Sequence, residues 1–334
     1  MNAIDVISLS KIYGDLKAVD EISFKVKEDE IFGFLGPNGA GKSTTMMILT
    51  TLLKPTSGSV FVSGHDVVKN PKQVRANIGY VQQESTVDEF LTGRENLLFQ
   101  AKINHIPHNT INRRIDDMLD IVELTDKQND IVITYSGGMR KRLDIAGGLL
   151  HMPKVLFLDE PTVGLDIQTR RKIWNYVRNI HDEYNMTIFL STHYMEEADK
   201  LCDRIGIIDH GKIQNIDTPQ NMKDALGNEI ITFIIKDPQQ QKQQLISALQ
   251  NIPQIKEIKT NQNQITVFTS NGSEIIPQIF QLSINLQIKI TSLSLTKPTL
   301  DDVFISYTGH ELREEEPSTY NRKKEHSKMK RLRA

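Results

Sequence analysis

Disulfide chemistry is the first thing this sequence lacks. Its single cysteine, Cys202, excludes an intramolecular bridge and points to a reducing compartment. The plain reading of that residue is a small buried apolar side chain. Also missing is any window near the roughly 20 consecutive apolar residues that span a bilayer. A membrane process would therefore need another chain for its membrane part. The first residues carry charges at Asp5 and Lys11 and no long apolar core, so no signal peptide is expected. An excess of one charge is absent too. Against 42 acidic side chains stand 40 Lys and Arg, a formal net charge of -2, which gives no general pull toward nucleic acid or acidic substrates. What remains, 334 residues with 38% hydrophobic and 25% charged content, suits a globular protein with a proper core and room for one large and one small domain.

One stretch organises the rest: Gly36-Pro37-Asn38-Gly39-Ala40-Gly41-Lys42-Ser43-Thr44, which fits G-x-x-x-x-G-K-[ST]. Residues 31–35 before it form a short apolar run that reads as a buried strand. Residues 44–53 after it hold no Gly or Pro and read as a helix. Strand, glycine loop and helix are the context of a phosphate cradle, because glycines let the backbone wrap an anion and the helix N-terminus aims partial positive charge at it. Lys42 is then placed to reach β- and γ-phosphates, and the Ser43 hydroxyl to ligate Mg²⁺. A glycine-rich turn that binds nothing is the alternative.

Further along, 155–158 is a run of four apolar residues that ends in Asp159-Glu160. This reads as a central parallel strand with acids at its C-terminal end, where open α/β sheets bind ligands. Asp159 would hold Mg²⁺ through water, and Glu160 would orient or deprotonate an attacking water. A second apolar strand, 187–190, ends in Ser191-Thr192-His193, and places His193 at the same sheet edge, poised to sense a γ-phosphate. Between phosphate loop and acids, residues 86–150 read as a mostly helical insertion. It contains a capping box at Thr92-Gly93-Arg94-Glu95, a helix over 109–124, and Tyr135-Ser136-Gly137-Gly138-Met139 leading into a helix over 140–150. Short strands are expected at 4–9 and 22–26, with Tyr13 in the turn between them, and at 58–63, 78–81, 205–208 and 212–216.

From about Glu229 the chain turns glutamine-rich and carries no motif chemistry. Its order is strand, helix, strand, strand, helix, strand, the ferredoxin-like arrangement, followed by a short helix over 298–307. Residues 310–334 are charged throughout and are expected to be disordered. Their basic part from Arg322 to Arg333 could touch anionic lipid, with a solvated tail as the plainer reading.

With GPNGAGKST, YSGGM, VLFLDEP and STH in that order, the chain resembles the ATP-binding subunits of ABC transporters over about residues 3–220. The serine motif follows the phosphate loop by roughly 90 residues and the acids come about 20 beyond it, as that family requires. The resemblance implies an α/β, P-loop ABC-type nucleotide-binding domain over 1–224, with a RecA-like core, an antiparallel β subdomain and the helical subdomain at about 86–150. It implies a small α+β accessory domain over 225–309. It also implies ATP and Mg²⁺ as ligands. Tyr13 then matches the adenine-stacking aromatic, and Gly36, Asn38, Gly39, Gly41, Lys42, Ser43 and Thr44 lie in the phosphate loop. Gln83 matches the Mg²⁺- and water-linked glutamine, with Ser43 and Asp159 as the other metal-linked positions. Ser136 and Gly138 match the signature that grips a second subunit's nucleotide. Glu160 is the catalytic carboxylate, Asp166 the aspartate at the dimer seam and His193 the switch histidine. Tyr135 and Met139 depart from the leucine and glutamine usual in that signature.

YSGGMRKRL, STHYMEEADKLCDRI and PTLDDVFISYTG narrow the resemblance to the daunorubicin-resistance-type ATPases of ABC-2 exporters. It implies a separately encoded permease, docked near Gln83 and the helical insertion, and a second ATPase subunit. It implies a peripheral place at the cytoplasmic face of a bacterial membrane and a drug-like, lipid or glycan cargo. A soluble ABC ATPase acting on ribosomes or nucleic acid is the rival reading. Ribosome-directed members carry two ATP domains, however, and chromosome-type members a long coiled coil, for which this chain has no room. A catalytically dead scaffold is disfavoured by Glu160, His193 and Lys42 all being present.

Overall fold

The computed structural model describes residues 1–236 and 239–309. The charged tail expected to be disordered, 310–334, lies outside the described residues. Three sheets organise the chain. The largest has six strands in the order Lys212–Asp217, Arg204–Asp209, Ile31–Leu35, Thr187–Thr192, Val155–Asp159, Ile78–Val81. All neighbouring pairs are parallel except the edge strand Lys212–Asp217. Every residue of Ile31–Leu35, Val155–Asp159 and Thr187–Thr192 is buried, as expected for parallel strands covered on both faces. On one face Phe32, Phe34 and Phe189 pack with Phe24, and Phe157 packs with Phe189, with ring centroids 5.5 to 6.0 Å apart. Phe24 comes from the second sheet, whose antiparallel order is Leu16–Lys27, Asn2–Tyr13, Ser57–Val62, His65–Asp66. Helix Lys42–Leu49 is packed into the same core through Met46, Ile48 and Leu49.

The opposite face is covered by Ile167–Tyr184 and by the helical insertion, which comprises Gly93–Ile103, His108–Ile121 and Gly137–Leu149. Thr92 and Glu95 cap the first of these reciprocally, as their spacing predicts. The third sheet has the order Ile255–Asn261, Gln264–Thr269, Glu229–Lys236, Lys289–Thr296, all antiparallel. Numbered along the chain, that is 2-3-1-4 with a helix after the first and third strands, the ferredoxin-like arrangement. Its core is a separate cluster built from Ile231, Phe233, Leu245, Ile265 and Ile275.

Several expectations are corrected. The strands at 4–9 and 22–26 are parts of long bulged strands, so Tyr13 closes a strand, and the turn falls on Gly14 at φ +56. The helix expected at 140–150 starts at Gly137, because the Ser136 hydroxyl accepts from Met139 N and caps it. Three helices of seven or eight residues, Pro71–Asn77, Met195–Leu201 and Pro219–Leu226, carry too few turns to show a period. Thr218-Pro219, just past the strand expected at 212–216, forms the N-cap and first turn of the last of these. Finally, Leu300–Thr308 leaves the third sheet and packs on Met195–Leu201, Pro219–Leu226 and Lys212–Asp217. Leu300, Val303 and Phe304 are buried in the same cluster as the six-stranded sheet.

Candidate nucleotide site

The phosphate loop leaves strand Ile31–Leu35 and enters helix Lys42–Leu49. Its glycines are dictated by space and by backbone angle. A Cβ on Gly36 would sit 2.3 Å from the Ile208 carbonyl oxygen, and one on Gly41, at φ +106, 2.5 Å from that of Ala18. Gly39 lies at φ +82. Asn38 and Ser43 are exposed, and Thr44 is half-buried. Lys42 is folded inward, with its Nζ donating to Gly36 O at 2.8 Å and Pro37 O at 3.1 Å. It stands 3.0 Å from Glu160 Oε1. A buried ammonium inside a glycine cradle at a helix N-terminus fits a polyphosphate, which would replace the single carboxylate now facing it.

The acids behave as a pair with different environments. Ser191 Oγ donates to Asp159 Oδ1 at 2.5 Å, and the Tyr80 hydroxyl lies 3.5 Å from Oδ2. Burial pushes the Asp159 carboxyl above the usual range despite the Ser191 bond. Burial also pushes Tyr80 up, reinforced by the Asp159 charge. Glu160 turns back at φ +44, its amide donating to Ser191 Oγ at 3.1 Å. Its Oε2 meets His193 Nδ1 at 3.2 Å. Burial would raise the Glu160 carboxyl, but His193 and Lys42 outweigh that and hold it below the usual range. Glu160 is thus held as an anion between the Lys42 ammonium and the His193 ring. The phosphate loop is tied to the same edge, since Gly36 N donates to Thr192 O at 3.2 Å. Among the described residues no cluster of three or more His, Cys, Asp or Glu forms a metal cage.

A second cluster lies elsewhere on the chain. Ser136 caps Gly137–Leu149, and a Cβ on Gly138 would fall 2.4 Å from Thr169 Cγ2. Thr169 in turn donates through N and Oγ1 to Asp166, at 3.0 and 2.6 Å, and this holds the exposed Asp166 carboxyl below its ordinary value. Asp166 is the N-cap of Ile167–Tyr184. Among the described residues, no hydrogen bond or ion pair joins Ser136 or Gly138 to the phosphate loop. Tyr135 is buried, its hydroxyl donating to Lys127 O at 2.6 Å, and Met139 packs half-buried against the core. Tyr13 is 45% exposed at the rim of the second sheet, with Lys11 Nζ 5.1 Å from its ring centre. Gln83 is exposed, and its carbonyl accepts from Lys141 at 3.0 Å. Ser191, Tyr80 and Lys141 touch the site without being singled out by the sequence; only the charge of Lys141 on a buried helix face could have flagged it.

A phosphate cradle, two buried acids and a histidine at the carboxyl edge of a parallel sheet, with a capped serine motif on a helical insertion, define a P-loop ATPase of the ABC class. Comparisons with known proteins agree. Residues 19–163 match the ABC transporter family, and 218–308 match the C-terminal domain of DrrA1-3-like ATP-binding proteins. The daunorubicin/doxorubicin resistance ATP-binding protein DrrA of Streptomyces peucetius is 37% identical over 92% of this chain and 93% of its own length. The linearmycin resistance ATP-binding protein LnrL of Bacillus subtilis is 34% identical over 92% and 98%. Among solved structures, the ATP-binding cassette MJ0796 in a dimeric post-hydrolysis state with ADP and Pi is 26% identical. It superposes at a TM-score of 0.58, covering 64% of this chain and 98% of that one. The chain belongs to the ABC transporter family, as an ATP-binding and ATP-hydrolysing subunit of the daunorubicin-resistance type. No helix among the described residues is long and apolar enough to cross a membrane.

Proposed function

We propose that this chain is the motor of an ABC-2-type exporter, working with a separately encoded permease at the cytoplasmic face of a bacterial membrane. The observation that carries the catalytic reading is the Lys42–Glu160–His193 line at the sheet edge. In this reading the amides of Gly36, Asn38, Gly39 and Gly41 and the Lys42 ammonium take the phosphates, Thr44 lines the same turn, and Tyr13 stacks on adenine. Ser43, Gln83 and Asp159 hold Mg²⁺, directly or through water; the cation screens phosphate charge. Glu160, kept anionic, orients or deprotonates the attacking water, and His193 aligns Glu160 and reads the γ-phosphate.

Ser136 and Gly138, which no hydrogen bond or ion pair joins to their own phosphate loop among the described residues, serve the nucleotide of a second subunit, with Asp166 at the seam. Residues 1–224 form the ATPase unit with its helical part at 86–150, and 225–309 an accessory unit whose last helix returns to the first. The permease docks near Gln83 and the helical insertion, where Phe90, Phe99 and Ile103 are exposed. Cargo of the drug, lipid or glycan class is in keeping with relatives named for daunorubicin, doxorubicin and linearmycin resistance and for Nod factor export. Glu160→Gln keeps the side chain's size but removes the base. It should lower ATP turnover by about 10²- to 10⁴-fold while the protein still binds ATP and accumulates as an ATP-bound dimer. Near-normal turnover would remove Glu160 from this role.

A further inference from the structure

Two charged side chains one turn apart on the signature helix Gly137–Leu149 are buried where the nucleotide chemistry has no direct use for them. Lys141 is 6% exposed, and its Nζ donates to the carbonyls of Gln82 at 2.8 Å and Gln83 at 3.0 Å. Among the described residues it forms no ion pair. Asp144 is 7% exposed, and its Oδ1 accepts from both N and Oγ1 of Thr86 at 3.0 Å. One helix thus holds both ends of the 82–86 loop, by a cation at the carbonyl end and an anion at the amide end. The side chains of 82–86 themselves are exposed.

This arrangement is costly if stability is its only purpose. A buried charge without an ionic partner is disfavoured relative to an apolar side chain of the same length. The helix that Lys141 and Asp144 sit on is also the one that Ser136 caps.

We infer that Lys141 and Asp144 are positioning residues that fasten the Gln83 loop to the signature helix, so that Gln83 and Ser136 move as one body. This rests on the reading above in which Gln83 serves the chain's own nucleotide and Ser136 that of the second subunit. The clamp then links the two nucleotides mechanically, through a single rigid helix rather than through the core sheet.

The test is a double-mutant cycle on the full chain with ATP turnover as readout. Misplacing Gln83 should lower kcat of Lys141→Met about tenfold, within what small misplacements cost, with KM changed less than about twofold. The melting temperature should not fall, since a buried charge has been removed. Lys141→Arg should restore most of the turnover. In a Gln83→Ala background Lys141→Met should add less than about twofold, because both act through one group. Turnover of Lys141→Met near wild type, or losses that multiply with Gln83→Ala, would overturn the inference. Should Lys141→Met not fold, Thr86→Val, at an exposed position, reads the other end of the clamp. It should lose turnover several-fold in the wild-type background and not in Gln83→Ala, and no loss in the former sinks the idea. The shared-site reading is checked separately by ATP-driven dimerisation of Glu160→Gln. Its absence would count against that reading while the Gln83–Lys141 cycle still reports on the clamp within one chain.

Discussion

Glu160 shows how a few side chains from distant parts of the chain set one another's charge. Burial alone would raise its carboxyl; with His193 and Lys42 beside it the carboxyl is held below the usual range and stays ionised, as a general base must. Glu197 is the contrasting case. It is fully buried, and its Oε1 accepts from Thr162 Oγ1 and Trp174 Nε1, both at 2.8 Å. Burial pushes its carboxyl above the reference value of 4.5. The native state therefore keeps a proton that the unfolded chain releases, and the stabilisation this gives is complete below pH 4.5 and is lost as pH rises through the raised native value. Glu197→Gln cannot titrate. The stability of wild type relative to Glu197→Gln should decline from pH 4.5 upward, by about 1.4 kcal/mol per pH unit until the native carboxyl ionises. A constant offset from the amide would leave that slope untouched, whereas a flat difference up to about pH 8 would mean the carboxyl titrates normally.

The helix Leu300–Thr308 connects the two folded units by an exchange of packing. Thr299 and Asp302 cap it reciprocally, and Leu300, Val303 and Phe304 are buried in the cluster that holds the six-stranded sheet and not in the separate core of the C-terminal sheet. The single tryptophan, Trp174, belongs to that same ATPase cluster and can report on it. Phe304→Ala should cost about 3–5 kcal/mol and shift the denaturant transition seen by Trp174 fluorescence. Phe233→Ala, in the separate core of the C-terminal sheet, should cost a similar amount there and leave the Trp174 transition in place. If Phe304→Ala leaves Trp174 unmoved, the last helix is not part of the ATPase core. This helix was legible in the sequence as an element, because its capping residues and apolar spacing are local. Its destination was not, because periodicity records which face is apolar and nothing about what covers it. Pro219–Leu226 was missed for a related reason: Thr-Pro serves equally as the end of one element and the cap of the next.

In the whole molecule the phosphate loop and the signature serine motif sit on different parts of one chain, and each opens a helix that offers backbone amides to an anion. If one nucleotide is clasped by both motifs from opposite chains, lesions should complement between subunits. Pairing a Lys42→Ala chain with a Ser136→Arg chain puts both lesions in one composite site and leaves the other whole. Placing both lesions in one chain opposite wild type damages both composite sites. With Glu160→Gln in the background, trapped nucleotide per purified mixed dimer should be greater in the first pairing; more in the second would refute the shared site. The sequence by itself determined the cradle, the strand-end acids, the capped insertion helix and the four-stranded C-terminal unit. These depend on contiguous residues: glycines where no Cβ fits, apolar runs that two-sided burial demands, and caps three residues apart. Only the tertiary structure decided that Lys42 and His193 flank Glu160, that Lys141 holds the Gln83 loop and that the last helix returns to the ATPase. Those contacts are set by the order of strands in the parallel sheet and by which helix covers which face, and parallel order brings together segments far apart in the chain, which no local pattern encodes.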